Sequence, residues 1–339
     1  MEDTLFNICI PFHNSSKYFH ELLDSIISQT YKNWKIYIFD DGSDKEESKK
    51  LDNVVRPVAD KVEVIKSKHI GVYKSRIQLI KNVKEGYIIC VDADDKFASN
   101  DVLSAIKNQI EISNADIIYY NYSLGIGNKL GQITKFKPFN NIESTIKEAL
   151  NNEKLNTLCN KAINVENLND IVFPELENVY IAEDRLLSIL ILLNCKTVSY
   201  IDKVFYYYRD NTLSASNVRL DTNRLFCQFD VEKEIQNILK TKINYFYNPD
   251  VYILESVVYP YLWFTYKNCK DKKLRKQSYE ETYKILISNC STSKIPQTNP
   301  IHKKLCLQTL ANKRFRNLDA LFKTISGLKR VRDLKWKSS

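Results

Sequence analysis

The sequence predicts an α/β protein: a mostly parallel, doubly wound sheet in its first part, followed by a helical C-terminal region. Three observations predict this. Short apolar runs alternate with stretches of helical period through about residue 122. Two of those runs stop at clustered carboxylates, Asp40-Asp41 and Asp92-Ala93-Asp94-Asp95. Of the 7 glycines only Gly327 falls after Gly131, so the later chain turns without glycine, which favours helices joined by Asn, Asp and Lys loops.

Phe6–Ile10 reads as the first strand, stopped by Pro11. After the loop Phe12-His13-Asn14-Ser15-Ser16, a helix from about Tyr18 to Gln29 carries Phe19, Leu22, Leu23, Ile26 and Ile27 at helical spacing, with Ser15 or Ser16 as its cap. Trp34–Phe39 is a second strand. A helix at about Glu46–Val55, a strand at Val62–Ile65 and a helix at about Val72–Val83 come next. Tyr87–Val91 has five residues without a charge, as in a strand buried on both faces. A helix at about Asp101–Ser113 and a strand at Asp116–Tyr122 follow. Connections this short imply parallel strands with right-handed crossovers. Residues 123–140 read as a loop or hairpin, and a strongly apolar helix opens at Glu183-Asp184 and runs to about Leu193. Thr197–Ile201 and Val204–Tyr208 are strand-like and end at Arg209. From about Asp221 the pattern is helical, with breaks near Pro249, Asp271 and residues 291–300. The expected division is a catalytic domain over 1–215 and a helical region over 216–339.

The composition, 44% hydrophobic and 27% charged over 339 residues, is that of an ordinary globular chain with two or three structural units. The eight cysteines form no C-x-x-C pair, as expected of small buried hydrophobes in a reducing compartment. The longest apolar run, Leu186–Leu193, is less than half of the ~20 residues a membrane span needs, and no signal peptide is evident. A cytoplasmic protein, peripheral at most on the inner face of the cell membrane, is expected.

In open α/β sheets ligands bind at the carboxyl ends of strands, where both acidic clusters fall. Crowded Asp92, Asp94 and Asp95 repel one another unless a cation lies between them, and hard divalent ions such as Mg²⁺ or Mn²⁺ bridge carboxylates to phosphates. A solvated turn with an Asp helix cap is the plain alternative. The dinucleotide fingerprint G-x-G-x-x-G and the P-loop lysine are both missing, which disfavours a dehydrogenase and a P-loop nucleotidase. The first acidic pair can read a base or ribose by hydrogen bonds while the second holds a metal on a diphosphate. Arg76, in the helix after Gly71, can add a positive group there. His13 and His69 have no histidine at zinc-site spacing.

These stretches resemble the family 2 glycosyltransferases of GT-A fold, especially bacterial enzymes of capsule and surface-polysaccharide assembly. The resemblance rests on Ile10-Pro11-Phe12-His13-Asn14, Ser28–Trp34, Phe39-Asp40-Asp41-Gly42-Ser43, Gly71–Arg76, Gly86-Tyr87-Ile88 and Val91–Asp95, in the family's order over about residues 5–125. It continues through Asn160-Lys161, Phe173-Pro174, Glu183-Asp184 and Tyr206–Arg209. It implies a nucleotide-sugar donor, most often UDP-linked, bound by Pro11, His13, Asp40, Asp41, Arg76, Asp92 and Ala93. His13 stands where the family usually has tyrosine. Asp94, with Asp92, would hold Mn²⁺ or Mg²⁺ against the leaving diphosphate. Asp184, with Glu183 beside it, would be the general base of an inverting transfer to a glycan or lipid-linked oligosaccharide acceptor. Both acids also suit a helix start, where negative charge is favoured. The alternative is a catalytically silent sugar-nucleotide-binding subunit of a glycosylation complex.

Residues 301–339 hold eleven Lys or Arg against two Asp, which accounts for the whole formal charge of +9. From Leu307, apolar positions recur at steps of three or four to Leu334, interleaved with basic residues and closed by Trp336. Such a basic amphipathic helix over 307–337 can bind an anionic bilayer surface, or pack its apolar face on the protein. Nucleic acid is not expected as a partner, because no nucleic-acid module accompanies the charge.

Overall fold

The computed structural model describes residues 3–126, 129–136, 141–177, 179, 181–210, 222–243, 253–289, 301–315 and 317–326. The chain forms two compact units, Met1–Val218 and Arg219–Ser339.

In the first unit, β1 (Phe6–Phe12) pairs in parallel with β2 (Trp34–Asp41) and with β4 (Tyr87–Cys90), and β2 pairs in parallel with β3 (Val62–Ser67). The helices α1 (Ser16–Ile27), α2 (Lys45–Val55) and α3 (Val72–Asn82) connect them, within a residue or two of the boundaries that the hydrophobic periodicity sets. After β5 (Lys96–Phe97) and α4 (Val102–Ser113) comes a hairpin of β6 (Ile117–Ile126) and β7 (Lys129–Thr134). Then follow α5 (Ile142–Asn151), β8 (Lys161–Asn164), α6 (Glu183–Leu192) and β9 (Val198–Arg209). The sheet order is β3-β2-β1-β4-β8-β6-β9-β5, with β7 on β6.

Two features depart from the sequence expectation. β8 is inserted antiparallel between β4 and β6, so the sheet is parallel on its β3-β2-β1-β4 side and mixed beyond it. Four residues headed by a lysine give no alternation by which to read that strand. The two strand-like runs after Thr197 are one strand, β9, which follows β6 in parallel and shifts register near Asn121 to pass the polar Asp202-Lys203 step. The core lies where the runs predict it. Phe19, Leu22, Leu23 and Ile26 of α1 are buried, and α6 is buried from Arg185 to Leu192 on every face. Each fully buried aliphatic there contributes about 1.5–3 kcal/mol of transfer free energy.

Among its described residues the second unit has helices at Thr222–Ile243, Ile253–Val258 (a π-helical segment), Tyr259–Asn268, Lys272–Asn289 and Ile301–Ala311, and a further one over 317–326. Over its described part the tail takes the second of its two expected readings and packs its apolar face on the protein. It is not one helix from 307: the chain breaks after Ala311, with Lys313 in the left-handed region at φ 54°. Leu307, Leu310, Leu318, Phe322 and Ile325 do not form a membrane face either. They are buried in this unit's own core beside Tyr259, Leu262 and Tyr279. The hydrophobic effect is satisfied internally, which removes the described part of the stripe from any bilayer. The basic positions from Lys329 to Lys337, with Leu328, Val331, Leu334 and Trp336, lie outside the described residues. No helix among the described residues is long and apolar enough to cross a membrane.

Candidate active site

Parallel pairing of β1, β2 and β4 brings three strand ends to one edge, with Phe12 opposite Asp40 and the Val91 amide bonded to the Cys9 carbonyl at 3.0 Å. Pro11 is half-buried on β1 and Ala93 is buried just past β4. The two acids that end β2 have separate duties. Asp40 is buried, and its carboxylate accepts from the Ser43 amide at 3.0 Å and the Ser48 hydroxyl at 2.7 Å. It braces the turn into α2.

Asp41 accepts from the Ile70 and Gly71 amides at 2.6 and 3.0 Å, so its carboxylate anchors the 69–71 turn ahead of α3. Its backbone carbonyl lies 2.8 Å from His13 Nδ1 and 3.1 Å from His69 Nδ1. A carbonyl can only accept, so each ring carries a proton on Nδ1. The two rings, 4.6 Å apart at their centroids, therefore form a pair that sequence spacing could not show. Beside them opens a cavity of about 410 Å³, lined by His69, Gly71, Tyr73, Lys74, Leu176 and Glu177 among others. Gly71, at φ 89°, would have open space where a Cβ would sit.

Arg76 is the centre of the second cluster. It is buried, and its guanidinium reaches Asp92 Oδ1 at 2.7 Å, Glu183 Oε1 at 3.0 Å and the Asp184 carboxylate. Burial opposes its charge, but the Asp92 and Glu183 carboxylates outweigh that and hold the proton more firmly than usual. Arg76 thus joins the acidic end of β4 to the first turn of α6. It is an ion-pair hub. Ala182, in the left-handed region at φ 61°, turns the chain sharply into α6. Asp184 keeps 30% of its side chain exposed and Glu183 only 13%.

The aspartates after β4 also divide. Asp95 is buried; its carboxylate takes the Tyr206 hydroxyl at 2.5 Å and the Arg209 amide at 2.8 Å. Burial, then the charges of Asp92 and Asp94, push its carboxyl well above the usual range. The same Tyr206 hydroxyl accepts the Asp92 amide at 3.1 Å, and Arg209 Nε donates to the Asp94 carbonyl at 2.8 Å. Arg209 also pairs with Glu21 at 2.9 Å and lies over the Tyr18 ring. Tyr206 and Arg209 hold the acidic loop in shape. Glu21 and Tyr18 gave no signal in the sequence, being ordinary helix residues there.

Among the described residues no three His, Cys, Asp or Glu side chains converge as a ready-made metal site. Asp92 and Asp94 are each half-exposed at this loop, while Asp95 is buried. That donor set fits a hard divalent ion which takes its other oxygens from a diphosphate and water.

A parallel α/β half-sheet with an acidic strand end facing a helix-borne carboxylate defines a GT-A type of nucleotide-sugar fold. The comparisons agree. The crystal structure of S. aureus TarS 1–349 in complex with UDP-GlcNAc superposes with a TM-score of 0.65 at 19% identity, over 95% of this chain and 92% of that one. The profile of glycosyl transferase family 2 matches residues 7–171, so this stretch of the first unit is similar to that family's domain. Glycosyltransferase GlyG of Streptococcus pneumoniae serotype 4 is 30% identical over 128 residues, 37% of this chain and 42% of GlyG. The chain thus spans less than half the length of that relative. The cholesterol galactosyltransferase of Borreliella burgdorferi is 25% identical over 308 residues, 83% of this chain and 82% of that protein.

Proposed function

We propose that this chain transfers a hexose or N-acetylhexosamine from a UDP-sugar to a hydroxyl of a glycan or lipid-linked oligosaccharide, with inversion at the anomeric carbon. The observation that carries the reading is the Arg76 hub, which brings Asp184 next to Asp92 although 92 positions separate them. The UDP-GlcNAc bound by TarS supports a UDP-linked donor.

In this reading the 69–71 turn, held by Asp41, seats the base beside His13 and His69, with Pro11 and Ala93 against the donor. Asp92, fixed by Arg76, presents its remaining oxygen to the ribose. Asp94 would hold Mn²⁺ or Mg²⁺, which when bound neutralises the charge growing on the departing diphosphate. Asp184 takes the proton of the acceptor hydroxyl as its oxygen bonds to the anomeric carbon. The bond to the diphosphate breaks on the opposite face, and UDP leaves with the electron pair.

The test is UDP release from UDP-GlcNAc, UDP-glucose and UDP-galactose by the wild type, Asp94→Asn and Asp184→Asn, with and without Mn²⁺. The wild type should turn over one donor slowly even with water as acceptor. Asp94→Asn should lose the Mn²⁺ response. Asp184→Asn should still bind UDP yet lose about 10²–10⁴-fold in rate. UDP binding with no wild-type turnover would leave a silent sugar-nucleotide-binding subunit.

A further inference from the structure

Lys161 heads β8 and has no solvent exposure. Among the described residues it forms no ion pair. Its ammonium donates to the Leu155 carbonyl and the Ser188 hydroxyl, both at 2.9 Å, and lies 4.9 Å from the centroid of the Tyr119 ring. The titratable groups facing it are the thiols of Cys159, Cys90 and Cys195, and burial pulls its pKa down to about 7. A buried cation without a carboxylate is costly, and an apolar side chain of the same length packs such a space at lower cost. Packing alone does not call for an ammonium here.

What the ammonium does is connect. Ser188 lies one helical turn after Asp184, on the same face of α6. Its hydroxyl receives Lys161 and donates to the Asn156 carbonyl at 2.7 Å. Arg185, next to Asp184 in the chain, donates to the Ala149 and Leu150 carbonyls at 3.0 and 3.1 Å, in the last turn of α5. The first turns of α6 are therefore tied to the 149–161 segment by two cationic side chains, and the purely apolar contacts beyond Ser188 would permit rotation or sliding.

We propose that Lys161, acting through Ser188, is a positioning residue that fixes the rotation and height of α6 so that Asp184 meets Arg76 and an incoming hydroxyl. This rests on Asp184 being the general base. Displacement of a reacting group by about 1 Å can cost 10²-fold in rate, so a helix-setting contact one turn away can govern turnover without touching the donor.

The experiment uses the full chain with UDP-GlcNAc and Mn²⁺, reading UDP release, for the wild type, Lys161→Met, Ser188→Ala and Asp184→Asn. Lys161→Met should lower kcat by about ten- to a hundredfold while the KM for UDP-GlcNAc stays within about twofold. Its melting temperature at pH 6.5 should not fall. A lysine that serves only the fold would do the reverse, lowering the melting temperature at unchanged kcat, and that result overturns the proposal. Should Lys161→Met fail to fold, Ser188→Ala decides: a lower kcat at unchanged KM supports the proposal, and wild-type kcat refutes it. Asp184→Asn separates the two readings. If it keeps wild-type turnover, the base assignment fails; if it alone loses turnover, only the positioning role of Lys161 fails.

Discussion

Lys161→Met should change how the stability of the protein depends on pH, by an amount the structure sets. In the unfolded chain a lysine titrates near ~10.4, whereas burial holds Lys161 at about 7. Between those values the folded state binds fewer protons than the unfolded state, so this group makes stability rise with pH across that window. Below pH 7 both states are protonated and the penalty is full, on the order of 5 kcal/mol. Above ~10.4 it vanishes. Methionine carries no such penalty, but it forfeits two hydrogen bonds worth about 1 kcal/mol each and leaves the Leu155 carbonyl without that donor. The variant should therefore equal or exceed the wild type in stability at pH 6.5. From pH 6.5 to 9.5 the wild type should gain about 3 kcal/mol relative to it, or ~6–12 °C for a unit of this size. Calorimetric melting of both proteins across that range reads the difference, in which every other titrating group cancels. A gap that does not move with pH would refute the argument, since it would mean that the ammonium keeps its ordinary pKa inside the fold.

Three further outcomes follow from the site. Arg76→Met strands Asp92, Glu183 and Asp184 without their shared cation and should cost about 3–5 kcal/mol at pH 7 by urea denaturation; a loss under 1 kcal/mol would mean that the hub is not formed in solution. Tyr206→Phe removes the hydroxyl shared by Asp92 and Asp95 and should cost about 1–3 kcal/mol while weakening the Mn²⁺ dependence of UDP binding. An unchanged Mn²⁺ titration would show that Asp95 does not shape the acidic loop. Glu183→Gln should reduce stability more than turnover, and the opposite pattern would move the base from Asp184 to Glu183.

Much of the fold was legible because it is local. Apart from the two-residue β5, the β1 to α4 elements obey hydrophobic period and turn chemistry, and their boundaries in the structure lie within a residue or two of the periodic breaks. β8 was not, because a strand that enters between two others is specified by its partners β4 and β6 and not by its own four residues. The site follows the same division. Clustered aspartates at strand ends marked where it lies, since uncompensated charge is visible in any sequence. Their individual duties were hidden, because spacing does not show that Ser48 bonds Asp40 or that Tyr206 and Arg209 bond Asp95. The stripe after Leu307 left two readings open for a related reason: amphipathic period shows that a face must be covered but not by what, and the protein covers the described part itself.

Glu183 and Asp184 are adjacent, chemically alike and held by the same guanidinium nitrogen, so sequence cannot rank them; access can. Glu183 is the more enclosed, and a carboxylate so placed is spent on orienting Arg76. Asp184 leaves about a third of its side chain open, and a base must meet a hydroxyl arriving from outside. The left-handed Ala182 makes both positions possible, because it turns the chain into α6 abruptly enough for two successive side chains to reach one cation. The same turn puts Asp184 at the end of a helix whose interior is wholly buried, and there a rotation of the buried face displaces the exposed carboxylate. Control over Asp184 therefore belongs to whatever fixes that face, and in this chain the polar contacts that do so come from Arg185, Ser188 and Lys161.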